Sequence, residues 1–362
     1  MKKICFICFN IEDMGGITRV VSNLCKEIYE DYSVSIISIC NTNKEPHYEF
    51  SDKIKIHKLN NNPDDRIKNI ILKSFSELKT IFKNEKFDII FMEGHYIPPI
   101  VLPLRFFTKS KFVFCDHGAL SNQLSDKKAT IFRRIGAIFS DKTVVLTEST
   151  KKEYIDYFKI KEDKILVIPN FIDDSIFNFE NVYNEDSKLI LSSGRFTSEK
   201  GFDMLVDVAK ELFKNHKEWQ WHIFGDGPEF EKINSKIKEL NLGKNVKLMG
   251  LADNMYDKYK NYGIFVLTSY REGFSLVLLE AKANSLPLVS FDCVAGPSEI
   301  ISNNVDGYLI PCYNIEMMSK KISELINKSD LRKKFSTNSQ LNVDKFKKSA
   351  IIEKWKRIID EL

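Results

Sequence analysis

Short apolar runs alternate with amphipathic stretches along the whole chain. In the first half, Lys3–Phe9, Ser33–Ile39, Ile54–His57, Phe87–Met92, Lys111–Cys115, Lys142–Leu146 and Ile165–Ile168 have the length and apolar character of buried strands. Between most of them lie helical patterns, such as Thr18–Tyr29, Ile67–Phe82 and Ala129–Phe139. The alternation then restarts. Leu189–Ser193, Trp219–Phe224, Val246–Met249, Ile264–Thr268 and Pro287–Phe291 read as strands, and Gly201–Lys214, Glu229–Leu240 and Leu276–Ala283 as the intervening helices. Strands that alternate with helices of this length predict βαβ units and parallel sheets. The pattern therefore predicts two doubly wound α/β domains in tandem, residues 1–170 and 171–345. Their joint is expected at Pro169–Lys188, where Pro169-Asn170 leads into the polar, acidic stretch Asn178–Ser187. In the last segment, Phe346–Leu362, the residues Ile351, Ile352, Trp355, Ile358 and Ile359 recur at helical spacing.

Composition narrows the class. The 362 residues are 43% hydrophobic and 29% charged, which excludes disordered, collagen-like and disulfide-scaffold chains. No apolar stretch approaches the ~18 residues needed to span a bilayer. The N-terminal run meets Glu12 and Asp13 with no small-residue cleavage site, so it reads as a first strand and not as a secretory leader. The seven cysteines show no metal-ligand pattern. Cys5 and Cys8 lie three apart on a strand and so point to opposite faces, which precludes a shared metal or a redox pair. All seven are expected to be reduced, as in a cytosolic protein. The 15 glycines are few for this length, so each is expected to sit where backbone geometry demands it.

Net charge is +4, of which residues 1–170 carry +5 and residues 171–362 carry −1. The basic residues form no long stripe and match no nucleic-acid motif, so nucleic acid is not an expected partner.

Candidate chemistry concentrates at predicted strand ends. The segment Tyr270-Arg-Glu-Gly-Phe-Ser-Leu-Val-Leu-Leu-Glu280 follows a strand, with Gly273 and Ser275 marking the turn into a helix. A helix start offers unpaired N–H groups and a positive dipole end to a phosphate. Glu280, within the helix, can accept from a diol such as ribose, and Glu272, on the loop, can reach sugar hydroxyls further out. The same residues also read as an ordinary N-cap with solvated carboxylates. In Ser193-Gly-Arg-Phe-Thr-Ser-Glu-Lys-Gly201, Arg195 and Lys200 bracket a turn before a helix, as suits a diphosphate held by two cations, or a surface loop with incidental charges. Phe224-Gly-Asp-Gly-Pro-Glu229 reads as a phosphate-binding glycine loop or as a capped turn. Met14-Gly15-Gly16 follows the first strand but is not G-x-G-x-x-G, so no dinucleotide fingerprint is present. Cys115-Asp-His117-Gly118, Glu93-Gly-His95 and Asp292–Glu299 also end strands, where open α/β sheets bind ligands. A lone histidine at such a place is either structural or a ligand.

Taken together and in this order, Gly15-Gly16, His117-Gly118, Pro169-Asn170, Gly194-Arg195, Glu199-Lys200-Gly201, Gly225-Asp-Gly227, Glu272-Gly273, Glu280-Ala281 and Gly296-Pro297-Ser298-Glu299 resemble the family 4 retaining glycosyltransferases. The likeness spans nearly the whole chain. It is most specific in the second half, where the two glutamates with seven residues between them are that family's signature. It implies the GT-B fold, two Rossmann-like domains facing a central cleft, with the first domain binding the acceptor, the C-terminal helix 346–362 packing back on it, and the second binding a nucleotide sugar.

The resemblance also implies roles. Glu272 would bind hydroxyls of the donor sugar and Glu280 the ribose. Arg195 and Lys200 would neutralise the diphosphate, with help from backbone N–H groups of Gly273, Phe274, Ser275 and Leu276. Gly16 and Gly225 would let loops approach the donor, and His117 would lie beside its sugar. Ser275 stands where many relatives have Gly or Pro, with little consequence expected for a backbone donor. The expected donor is a UDP-sugar and the expected acceptor a lipid-diphosphate-linked or glycan molecule of capsule, O-antigen or exopolysaccharide (lipopolysaccharide-type) assembly. No Asp-x-Asp occurs, so no metal or other cofactor is expected. The alternatives are a GT-B sugar-nucleotide epimerase and a non-catalytic partner subunit. The second would be expected to have lost Arg195, Lys200 or Glu272.

Arg105, Lys109, Lys111, Lys127, Lys128, Arg133 and Arg134 lie near Phe106, Phe107, Ile131 and Phe132. Basic and apolar residues together suit an anionic membrane surface. They predict a cytoplasmic protein that is peripheral on the inner face of the membrane. Solvated helix faces are the alternative.

Overall fold

The computed structural model describes residues 1–13, 15–174, 176 and 183–362. Met14 and residues 178–182 of the expected linker stretch Asn178–Ser187 lie outside the described residues. The chain divides into two compact units, Met1–Asn170 with Ile351–Leu362, and Phe171–Ala350.

Unit 1 holds seven strands: β1 (Lys3–Cys8), β2 (Ser33–Cys40), β3 (Lys55–Asn61), β4 (Ile89–Glu93), β5 (Lys111–Asp116), β6 (Lys142–Val145) and β7 (Ile165–Val167), in the order 3-2-1-4-5-6-7. Unit 2 holds six: β8 (Leu189–Ser193), β9 (Gln220–Phe224), β10 (Val246–Gly250), β11 (Ile264–Leu267), β12 (Leu288–Phe291) and β13 (Gly307–Ile310), in the order 10-9-8-11-12-13. Every pairing between these strands is parallel. Central strands such as β4 and β11 are buried along their whole length, which is why they read as unbroken apolar runs.

Both orders reverse once, between β1 and β4 and between β8 and β11. Ligands of open α/β sheets bind outside the carboxyl ends of the strands at such a point. Predicted motifs follow both switch-point strands of each unit, and others follow the neighbouring strands β5, β9 and β12.

The apolar pattern did not disclose β13 or the helices Glu148–Phe158, Ile315–Asn327 and Ser329–Ser339. β13 is an edge strand of four residues that opens on a glycine, too short to show a period. The closing helix is Lys348–Glu361, and its Ile351, Trp355 and Ile359 are buried within unit 1. Lys2 ties to it by donating to the carbonyls of Ile359 and Asp360. All seven cysteines are free, and six are buried. Burial raises the thiols of Cys5 and Cys8 well above the ordinary range.

Candidate active site

In unit 2, β8 runs into Gly194 and Arg195 and then a 3-10 turn, Ser198–Lys200. Gly201, at φ +63°, ends that turn and starts the helix Phe202–Leu212. A Cβ there would overlap the carbonyl oxygen of Thr268, so only glycine fits. The loops after β8 and β11 are bonded to each other: the Tyr270 amide donates to the Glu199 carbonyl at 3.1 Å, and Thr268 Oγ1 donates to the Lys200 carbonyl at 3.1 Å.

On this frame Lys200 Nζ donates to Glu272 Oε1 at 2.8 Å. The Glu272 side chain is only 6% exposed. Burial works against the Lys200 charge, but the adjacent Glu272 carboxylate outweighs it and holds the ammonium above its ordinary range. Arg195, on the same loop, is exposed, and its guanidinium has no ion-pair or hydrogen-bond partner among the described residues.

The loop after β11 leads through Gly273 and Phe274 to the helix Leu276–Ala283. Ser275 stands at its N-cap, but its hydroxyl makes no cap bond and is buried without a partner. Gly296, from the loop after β12, packs against the backbone of Phe274 and Ser275. Glu280 is buried, and its Oε2 accepts from the Tyr259 hydroxyl at 2.9 Å.

The Gly225–Gly227 loop after β9 is fastened to the β8 loop. Gly194 N–H donates to the Phe224 carbonyl, Phe196 N–H to the Asp226 carbonyl and Glu229 N–H to the Phe196 carbonyl. A Cβ on Gly225, at φ +135°, would collide with the Gly194 carbonyl oxygen.

Unit 1 builds its carboxyl ends differently. His117, just past β5, bonds through Nε2 to Glu93 Oε2 at the end of β4, 2.6 Å away. Glu93 is 2% exposed in its side chain. Beneath them, Asp116 accepts from Arg133 Nε at 2.8 Å and from the Tyr154 hydroxyl at 2.6 Å. Arg133 also bonds Gln123. Gly16 opens the helix Gly16–Ile28, and nothing lies within 4 Å of a Cβ placed on Gly15 or Gly16.

Residues 173–342 match the family described as Glycosyl transferases group 1, and residues 14–176 match Glycosyltransferase Family 4. The chain belongs to the family 4 glycosyltransferases. It is similar to the amylovoran biosynthesis glycosyltransferase AmsD of Erwinia amylovora, at 28% identity over 99% of this chain and 100% of that one. It is also similar to a Campylobacter jejuni alpha-1,4-N-acetyl-D-galactosaminyltransferase that extends a PP-undecaprenol-linked glycan, at 27% identity over 100% and 99% of the two chains. In fold it resembles a Staphylococcus aureus TarM variant solved with fondaparinux, alpha-GlcNAc-glycerol and UDP. That likeness has a TM-score of 0.84 at 20% identity and covers 99% of each chain. The epimerase alternative finds no support in these matches.

For this glycosyltransferase the structure brings Glu272 and Lys200 into direct contact, places Ser275 at the N-cap of the helix that carries Glu280, and leaves Arg195 on the adjoining loop without a partner among the described residues. It corrects one expectation and supplies partners for two further residues. Arg133 does not belong to a surface patch: it is 2% exposed and neutralised by Asp116. Arg105 is committed to Asp141 through two bonds of 2.9 Å. His117 is not a lone histidine. Sequence reasoning missed Tyr259 altogether. It noted Glu93 only as part of a strand end, although a buried acid one strand from a histidine was the available signal.

Proposed function

We propose that this chain is a retaining, metal-independent glycosyltransferase. It moves a sugar from a UDP-sugar to a lipid-diphosphate-linked or glycan acceptor of a bacterial surface polysaccharide. The observation that carries this reading is the Lys200–Glu272 pair at the switch point of unit 2, with Arg195 unpaired on the same loop. A cation and a sugar-binding carboxylate meet where a sugar diphosphate needs both.

In this reading Lys200 and Arg195 take the diphosphate, and the N–H groups of Gly273, Phe274, Ser275 and Leu276 add donors at the helix start. Glu280 accepts from the ribose and Glu272 from the transferred sugar, while Gly225 shapes the loop after β9 beside the donor. His117 is oriented by Glu93 within unit 1. As the bond from C1 to the phosphate oxygen breaks, its electron pair goes to the diphosphate and positive charge grows on the sugar. Lys200 and Arg195 stabilise the departing charge. The acceptor oxygen bonds C1 from the face the phosphate leaves, and its proton passes to the leaving phosphate oxygen. Configuration is thereby retained without a protein nucleophile. No cofactor is required, since the two cations do the work a divalent metal would do. The C. jejuni relative's PP-undecaprenol-linked substrate supports a lipid-linked acceptor.

Such an acceptor lies at a membrane. No helix among the described residues is long and apolar enough to cross one. Phe106 (89% exposed), Phe107, Ile131 and Phe139 are exposed, and so are Lys109, Lys111, Lys127, Lys128 and Arg134 on the same two segments, 105–111 and 127–139. This surface suits peripheral binding to the anionic inner leaflet, on the cytoplasmic side.

The test is transfer from labelled UDP-sugars to membrane lipid extracts. Glu272→Ala and Lys200→Ala are expected to reduce transfer by at least ~1000-fold, and EDTA to leave it intact. Strong loss on chelation would overturn the metal-free mechanism.

A further inference from the structure

Glu280 is buried, and a buried carboxylate needs donors to hold its direction. Tyr259 supplies one. It lies on the 3-10 turn Tyr259–Asn261, ahead of β11, and its side chain is fully buried. Its ring packs at a tilt against Phe265, centroids 6.4 Å apart. The turn is held by the Tyr262 amide, which donates to the Tyr259 carbonyl, and by Ser187 Oγ, which donates to the Asn261 carbonyl at 2.7 Å. The hydroxyl is therefore delivered to Glu280 Oε2 from a ring with no rotamer freedom left to lose. A carboxylate accepts about four hydrogen bonds, so this bond orients the group without exhausting it.

We propose that Tyr259 is a positioning residue for ribose recognition: its hydroxyl holds the Glu280 carboxylate in the orientation from which it accepts the ribose hydroxyls. This rests on the reading of Glu280 as the ribose ligand. Tyr259 itself touches no reacting atom. It converts a side chain with three rotatable bonds into a fixed acceptor, which lowers what must be ordered when nucleotide binds.

The experiment compares nucleotide affinities by calorimetry on the full chain. The nucleoside diphosphate among UDP, GDP and ADP that raises the melting temperature most is titrated beside its 2′-deoxy and 3′-deoxy forms. In the wild type, loss of the bonded hydroxyl should weaken binding at least about tenfold, as for a bond to a charged acceptor. In Tyr259→Phe that ratio should fall below about threefold, with the deoxy nucleotide bound as in the wild type. A purely structural tyrosine would instead weaken all forms by one common factor and leave the ratio intact, which overturns the proposal. Glu280→Ala separates the two layers. If it keeps the full ratio, or if no nucleoside diphosphate binds the wild type, the ribose reading itself fails. Should Tyr259→Phe not fold, Tyr259→Phe/Glu280→Gln leaves no buried carboxylate short of a donor. A smaller ratio in it than in Glu280→Gln alone supports the proposal, and an equal ratio overturns it.

Discussion

The two sheets share a strand order around their switch points yet fasten their carboxyl ends with a different balance of backbone and side-chain bonds. In unit 2 the loops after β8, β9 and β11 are joined backbone to backbone, through Gly194, Phe196, Tyr270 and the close approaches at Gly201 and Gly225. In unit 1 backbone bonds such as Gly94 N–H to the Cys115 carbonyl are joined by a larger set of buried side-chain ties: Asp116 gathers Arg133 and Tyr154, and Glu93 holds His117. A backbone frame fixes the position of whatever side chains it carries, which suits a ligand that does not change from one relative to the next. A side-chain network can be rebuilt by substitution, which suits a variable one. This is the division of labour the proposed function assigns, with the nucleotide diphosphate on unit 2 and the acceptor on unit 1.

The contrast can be broken from either side. Arg133→Met leaves Asp116 buried without its cation and should cost about 3–5 kcal/mol in urea unfolding. It should leave liposome binding unchanged once the protein is folded. Gly225→Ala drives a methyl into the Gly194 carbonyl and should cost about 3 kcal/mol. Gly15→Ala and Gly16→Ala, with open space around them, should change stability by under about 0.5 kcal/mol. Comparable losses at Gly15 and Gly225 would erase the distinction between the two units. Phe106→Ser removes an exposed ring and should likewise move stability by under about 0.5 kcal/mol, while retention on anionic vesicles at low salt drops severalfold. A chain that ignores such vesicles before any substitution would refute the membrane assignment.

The smallest effect is one of pH. Glu272 holds the Lys200 ammonium above its ordinary value of 10.5. The pair's contribution is then fully present below that pH and is lost as pH climbs through the higher folded-state value. The stability gap between wild type and Lys200→Met should be flat from about pH 6 to 9 and narrow only above 10.5. A gap that closes near neutrality would contradict the pairing.

What the sequence disclosed follows the same division. The motifs of unit 2 were legible because residues close in sequence act together there: Arg195 and Lys200 on one loop, Glu272 and Glu280 on one strand-to-helix turn. Some glycines were read as sites of ligand approach, but at Gly225 and Gly201 the close approach is to protein backbone. The pairings that escaped are long-range. Tyr259 reaches Glu280 across 21 positions and Arg133 reaches Asp116 across 17, so no local pattern marked either. Arg133 looked like a surface cation because an amphipathic helix shows which face is apolar and not which charge has a buried partner. β13 was missed because four residues that begin with glycine carry no period.

The central claim is that Lys200 awaits a diphosphate and is neutralised by Glu272 until one arrives. Titration of the sugar-free nucleoside diphosphate into wild type, Lys200→Met and Glu272→Gln tests it directly. Lys200→Met should weaken binding about 100-fold. Glu272→Gln, which releases Lys200 from its competing anion, should bind the sugar-free nucleotide at least as tightly as the wild type, although transfer is lost. Weakening by Glu272→Gln to the same degree as by Lys200→Met would contradict the account.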